Sequence, residues 1–209
     1  DHHDQQPPRM VNFTFDVLPL PAAQVYMLPS QALVFGVPNQ VLRPIQVACH
    51  EASLALEVVD VAALAQRNLS ARAEAQGRGL AVLSLNEGGG LLTITQGGEL
   101  YLVRHLETSL TQLMRADDAG RQILLERIAL DLQRSFDVFD RQSRTAQLSG
   151  LLLAPMPALP GLLQSLQQNL FVPVDWFDLA TWFDWPAEPP PWFLWTALGA
   201  ALRPWARSA

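Results

Sequence analysis

Residues 80–153 carry a strand pattern, a hairpin pattern, a long amphipathic helix pattern and a second strand pattern, in that order. The apolar run at 80–85 predicts a buried strand, and two alternating segments joined by Gln96-Gly97-Gly98 predict a hairpin. Residues 121–142 keep one apolar stripe at helical spacing, and 148–153 form another apolar run. Because strands alternate with helices along the chain, this order predicts an α/β fold.

The first 76 residues predict a smaller set of strands and helices. In chain order these are strands at 10–18, 24–28 and 32–37, a helix at 40–55, a strand at 56–60 and a helix at 61–75. Prolines separate the first three strands, which favours an antiparallel meander. Asn39 is the predicted N-cap of the first helix, and Pro44 should distort its first turns.

The last third of the chain combines a proline-rich loop with a cluster of aromatic residues. A polar helix near 108–116 precedes the long helix; after residue 153 we expect a helix at 161–170, an edge strand at 172–174 and a final helix at 192–202. All six tryptophans lie between Trp176 and Trp205. They are interpreted as core residues, as contacts to a protein partner or as residues near a membrane surface. The partner-contact candidates are Trp176, Trp182, Trp185 and Trp192.

The charge composition excludes several functional classes. Of the 209 residues 16% are charged, the formal net charge is −6, and every basic residue other than histidine is arginine. An acidic chain without basic clusters is a poor candidate for nucleic-acid binding. Without lysine, P-loop, Schiff-base and kinase-type chemistry is excluded. The single cysteine, Cys49, forms no internal disulfide and fits a reducing compartment.

Five segments together resemble the PilM-like family of actin-like ATPases from type IV pilus assembly, and within it the MshI-type proteins of MSHA pilus biogenesis. The segments are VVDV at 58–61, LAVLSLNEGGGLLTITQGGELYLVRHLE at 80–107, LLERIALDLQRSFDVFDRQ at 124–142, LLLAPMPALPGLLQSLQQNLFVPVDWFDLA at 151–180 and TALGAALR at 196–203. Their order and spacing carry the resemblance, which covers about residues 10–204.

The resemblance implies an actin-like (ribonuclease-H-like, ASKHA) fold with a partial first lobe and a complete second lobe. Residues 1–76 would form the partial lobe, and residues 77–209 the complete lobe with its Trp-rich C-terminal segment. The family's first strand pair, with its own phosphate loop, is expected upstream of Asp1. We therefore expect this chain to correspond to the C-terminal two-thirds of the family's full length.

The resemblance also places two nucleotide loops in this chain, and both differ from the family pattern. Ser84 stands where PilM-type ATPases carry an Asp, in a hairpin that continues with Glu87, Gly88, Gly89 and Gly90. Ala154, Pro155 and Met156, followed by Pro157, stand where the adenosine loop has two glycines. Serine supplies no charge for a Mg²⁺ shell, and the prolines fill the space that the glycines leave open. We expect no catalytic residue, no metal site and no bound ATP or Mg²⁺; the three glycines then form only a hairpin turn.

By resemblance, the chain would be a non-enzymatic scaffold at the cytoplasmic face of the inner membrane. Its partners would be a PilN-like inner-membrane protein and the pilus assembly ATPase. Two alternatives stay open: a working ATPase that uses Glu87 in place of the lost Asp, and a platform subunit of type II secretion of the GspL type. An incomplete first lobe would expose strand edges, which predicts self-association.

Overall fold

A computed structural model describes residues 12–21, 31–142, 147–182 and 191–203. Residues 12–20 and 31–61 form one compact unit, and the described residues from Ala62 onward form a second. The assignment of 1–76 and 77–209 to two lobes stays a prediction.

The first unit contains two antiparallel strands and one helix. β1 spans Phe13–Pro19, β2 spans Ala32–Pro38 and α1 spans Asn39–Glu51. The strands pair from Phe13 opposite Pro38 to Pro19 opposite Ala32, which confirms the strands predicted at 10–18 and 32–37 over the described residues. The strand predicted at 24–28 lies outside the described residues.

Three predictions for this unit are wrong in detail. Pro38, whose φ of −59° suits a helix start, occupies the N-cap position without a side-chain capping bond, and the Asn39 amide oxygen accepts a hydrogen bond from Thr14 Oγ1 at 2.8 Å instead. The helix ends at Glu51 rather than 55 because Ser53 adopts a left-handed φ of 56° and the amides of Ser53 and Leu54 bond back to the last turn. Residues 56–60 form no strand, since no neighbouring strand pairs with them.

The second unit is built on a five-stranded sheet in the order β5-β4-β3-β6-β7. Its elements are α2 (Ala62–Ala73), β3 (Gly79–Asn86), β4 (Gly89–Gln96), β5 (Glu99–Leu106), α3 (Leu110–Arg115), α4 (Asp118–Gln142), β6 (Leu148–Leu153), α5 (Leu162–Asn169), β7 (Val174–Trp176), α6 (Leu179–Trp182), a 3-10 turn (Trp192–Leu194) and α7 (Trp195–Ala201). β3, β4 and β5 are antiparallel, whereas β6 and β7 run parallel to β3.

These bounds confirm most of the predicted elements. The hairpin turns at Gly97 and Gly98 with φ of 60° and 77°, the pair of positive angles that a two-residue hairpin favours. The long helix begins at Asp118 rather than at residue 121. The edge strand begins at Val174, just after the proline that predicted its edge position.

The two faces of this sheet pack against different helices because successive side chains of a strand point to opposite sides. On one face Ala81, Leu83 and Leu85 join the larger core with residues of α4 and α5. On the other face Leu80 and Val82 join a smaller core with residues of α2 and α7. Within the described part of the chain, no helix is both long and apolar enough to cross a membrane.

Ser165 on α5 is a buried hydroxyl without a hydrogen-bond partner, and its removal should stabilise the protein. The residue is 6% exposed, and its Oγ has no partner among the described residues. We expect Ser165→Ala to raise the free energy of unfolding by about 1 kcal/mol, because alanine removes an unpaired polar atom and favours a helix. Urea denaturation measures the change.

Ser135→Ala is the matched control for this prediction. Ser135 is also a buried serine in a helix, but its Oγ donates to the Asp131 carbonyl at 2.6 Å. Both variants gain the same helix propensity. The difference between their free energies of unfolding therefore reports whether the serine hydroxyl was hydrogen-bonded. Equal changes in the two variants would contradict the prediction.

Candidate functional site

The carboxyl ends of β3 and β6 bring the two predicted nucleotide loops together. The strands are parallel neighbours with Leu83 opposite Leu153, and the Ala154 amide donates to the Leu83 carbonyl at 2.8 Å. Ser84 and the loop at 154–156 therefore lie side by side at one edge of the sheet. In open α/β sheets this is the edge where ligands bind.

Ser84 lies on the sheet face that α2 and α7 cover. It is half-buried and pairs across the hairpin with Leu91, two residue pairs beyond the pair formed by Val82 and Thr93. Since Val82 belongs to the smaller core, strand alternation puts Ser84 on the same face. The position thus offers a hydroxyl, and no charge, to the edge of the sheet.

Two of the glycines after Glu87, Gly89 and Gly90, lie where neighbouring strands pack closely. Gly89 has a φ of 136°, and a Cβ there would lie 2.5 Å from the Leu106 carbonyl oxygen. A Cβ at Gly90 would lie 3.1 Å from the Leu106 Cβ. The Gly88 amide already donates to the Asn86 side-chain oxygen at 2.8 Å. A side chain of the hairpin itself thus takes up one amide that a phosphate loop would present.

Glu87 lies at the exposed tip of this hairpin and borders an open depression of about 840 Å³. The lining residues are Glu87, Gly88, Glu107, Ser109, Thr111, Gln112, Arg115, Ala116 and Leu124. Glu107 forms an exposed ion pair with Arg127. Ser84 and residues 154–156 are not among the described residues that line the depression. Glu87 directly follows β3, so it stands at the same carboxyl edge of the sheet as Ser84, and a role for it there stays a prediction.

The loop at 154–156 is filled by its own side chains. Ala154 is 1% exposed and belongs to the smaller core together with Phe177 and Trp195. Pro155 is half-buried, and Met156 packs against the larger core. All three side chains are at least half-buried, and the role of this loop in nucleotide binding stays a prediction.

The tryptophans selected as partner contacts differ in their surroundings. Trp176 and Trp192 are half-buried and pack against the larger core, whereas Trp182 is exposed. Trp185 lies outside the described residues. Trp176 and Trp192 thus serve at least partly as core residues, and contact with a partner stays a prediction for all four.

Trp195, which the sequence did not single out, is a buried tryptophan with a buried polar partner. Its indole Nε1 donates to Gln66 Oε1 at 3.1 Å, and its ring meets Phe177 edge-on at 5.0 Å. Gln66 Nε2 donates in turn to the Val82 carbonyl at 2.9 Å and to Thr93 Oγ1 at 3.0 Å. Gln66 therefore ties α7 to β3 and β4, directly beside the rung of Ser84.

The sequence did not lead us to predict Gln66 as a buried hydrogen-bonding residue, although it contains a signal for such a role. It interrupts the apolar Ala/Leu face predicted for the helix at 61–75, and a polar residue in such a face is buried only when it is hydrogen-bonded. Its partners lie 16 to 129 residues away along the chain, so no local pattern identifies them.

Tyr101 on β5 has a titratable side chain that packs against another aromatic ring. Burial raises its pKa above the ordinary value of 10.0, and the negative charges of Glu99 and Glu74 raise it further. Its ring meets Phe139 edge-on at 5.9 Å. The phenol thus stays neutral at physiological pH. Among the described residues, no group of three or more His, Cys, Asp or Glu side chains could hold a metal ion.

Comparison with known proteins finds similarity in solved structures only. No protein-family model matches the chain, and no curated protein matches it. A solved structure described as a PilM-PilN type IV pilus biogenesis complex aligns with a TM-score of 0.61 and 20% identity, over 82% of this chain and 58% of that chain. This chain therefore spans less than two-thirds of the length of the protein it resembles in that structure.

Two further structures align with lower TM-scores. A Bacteroides thetaiotaomicron protein with an actin-like ATPase fold aligns at a TM-score of 0.46 and 10% identity, over 84% of this chain and 56% of that chain. The ethanolamine utilization protein EutJ from Carboxydothermus hydrogenoformans aligns at 0.44 and 14%, over 83% of this chain and 81% of that chain. Of these three structures, the one of the PilM-PilN complex aligns best. The chain has a PilM-like, actin-like α/β fold, as its sequence predicts.

Proposed function

We propose that this chain is a non-enzymatic scaffold of a type IV pilus assembly platform of the MSHA kind. It would dock a PilN-like inner-membrane protein and link it to the assembly ATPase at the cytoplasmic face of the inner membrane. The structural likeness to a protein solved in a PilM-PilN complex supports this proposal. The resemblance of residues 80–107, 124–142 and 151–180 to MshI-type proteins supports the MSHA assignment.

The proposal that the chain is not an enzyme rests on the residues at the edge of the sheet where β3 and β6 end. An uncharged Ser84 stands beside a buried Ala154 and a loop filled by Pro155 and Met156. The Gly88 amide is bonded within the hairpin. This arrangement supports a scaffold without bound ATP and Mg²⁺, because Ser84 carries no charge and the loop at 154–156 has no glycine.

A working ATPase is the alternative, and one observation favours it. Glu87 and Glu107 border the same open depression, so two carboxylates stand near the hairpin tip. Glu87 follows the carboxyl end of β3 and Glu107 that of β5, so both stand at the edge of the sheet where β6 also ends. A type II secretion subunit of the GspL type shares the fold, and only its binding partners would distinguish it.

Calorimetric titration with Mg·ATP tests this proposal. We expect no saturable heat up to about 1 mM nucleotide, that is, binding weaker than about −4 kcal/mol. In the same cell, the N-terminal tail peptide of a PilN-like protein should bind equally well with and without nucleotide. Glu87→Gln is the diagnostic variant, because nucleotide binding that this variant abolishes would replace the scaffold proposal by the ATPase alternative.

A further inference from the structure

We draw no further inference here: the strongest candidate, the cavity of about 590 Å³ between the C-terminal part of α4 and the start of β6, which Phe136, Asp137, Asp140 and Leu148 help to line, carries no proposal, because residues 143–146 beside it lie outside the described part of the chain and nothing in the structure shows what occupies it.

Discussion

Replacing Gly199 by alanine should lower the free energy of unfolding of the second unit by about 3 kcal/mol, the upper range for overpacking a closely packed site. A Cβ at Gly199 would stand 2.6 Å from the carbonyl carbon of Ala65 and 3.1 Å from its Cα, and it would clash with the carbonyl oxygen. Those atoms belong to the backbone of α2 and cannot rotate away. α7 would have to move off α2 and break the bond that Asn68 Nδ2 donates to the Gly199 carbonyl at 2.9 Å.

Urea denaturation followed by tryptophan fluorescence measures this loss, because all six tryptophans lie beyond residue 175. Gly120→Ala is the matched control, since Gly120 is also a helical glycine in the second unit. A Cβ there would meet the Asp117 side-chain oxygen at 2.8 Å, and a side chain can move aside. Alanine favours a helix over glycine by about 1 kcal/mol, so the control should change little. A Gly199→Ala protein as stable as wild type would contradict the predicted clash.

The elements predicted best from sequence are those whose local pattern and tertiary environment agree. β6 occupies the predicted 148–153, and β3 extends the predicted 80–85 by one residue at each end. Both are central strands buried on two faces, so a continuous apolar run describes them fully. The hairpin at Gly97 and Gly98 was equally predictable, because the left-handed angles it needs are those that glycine adopts without strain.

The elements predicted wrongly depend on groups that lie elsewhere in the fold. Residues 56–60 have strand composition, but a strand exists only beside another strand. Asn39 has the preferred side chain of an N-cap, yet its oxygen bonds to Thr14 across the first unit. α1 ends at Glu51, and the left-handed residue that follows is Ser53 rather than a glycine, so the usual glycine signal for a helix end is missing.

The candidate site was predicted only in part. The resemblance named Ser84 and residues 154–156, and the parallel pairing of β3 with β6 brings them to one edge. Glu87 was predicted to belong to the same site; it follows β3 at the exposed hairpin tip, and its membership of the site stays a prediction. The Gln66–Trp195 contact joins residues 129 positions apart, which no local periodicity encodes.

Replacing Gln66 by leucine should lower the free energy of unfolding by about 3 kcal/mol, because it leaves buried polar groups without partners. Leucine is similar in size, but it cannot accept the indole proton of Trp195 or donate to Thr93 and the Val82 carbonyl. Gln122→Leu is the matched control, since the Gln122 amide donates to Glu126 on the exposed side of α4. Urea denaturation should give the control a free energy of unfolding close to that of the wild type. An equal loss of stability in both variants would contradict the prediction.

A double-mutant cycle separates the contribution of the Gln66–Trp195 hydrogen bond from the rest of the loss in free energy of unfolding. Trp195→Phe keeps most of the ring but removes the donor, so the double variant Gln66→Leu with Trp195→Phe leaves no unpaired indole proton. Because the two side chains are in direct contact, we expect the double variant to be more stable than the sum of the single losses by about 1 kcal/mol. Additive losses would mean that the bond does not help to hold α7 on the sheet. A coupling of the expected size would show that a buried polar contact beside Ser84 stabilises this face of the sheet in protein purified without nucleotide.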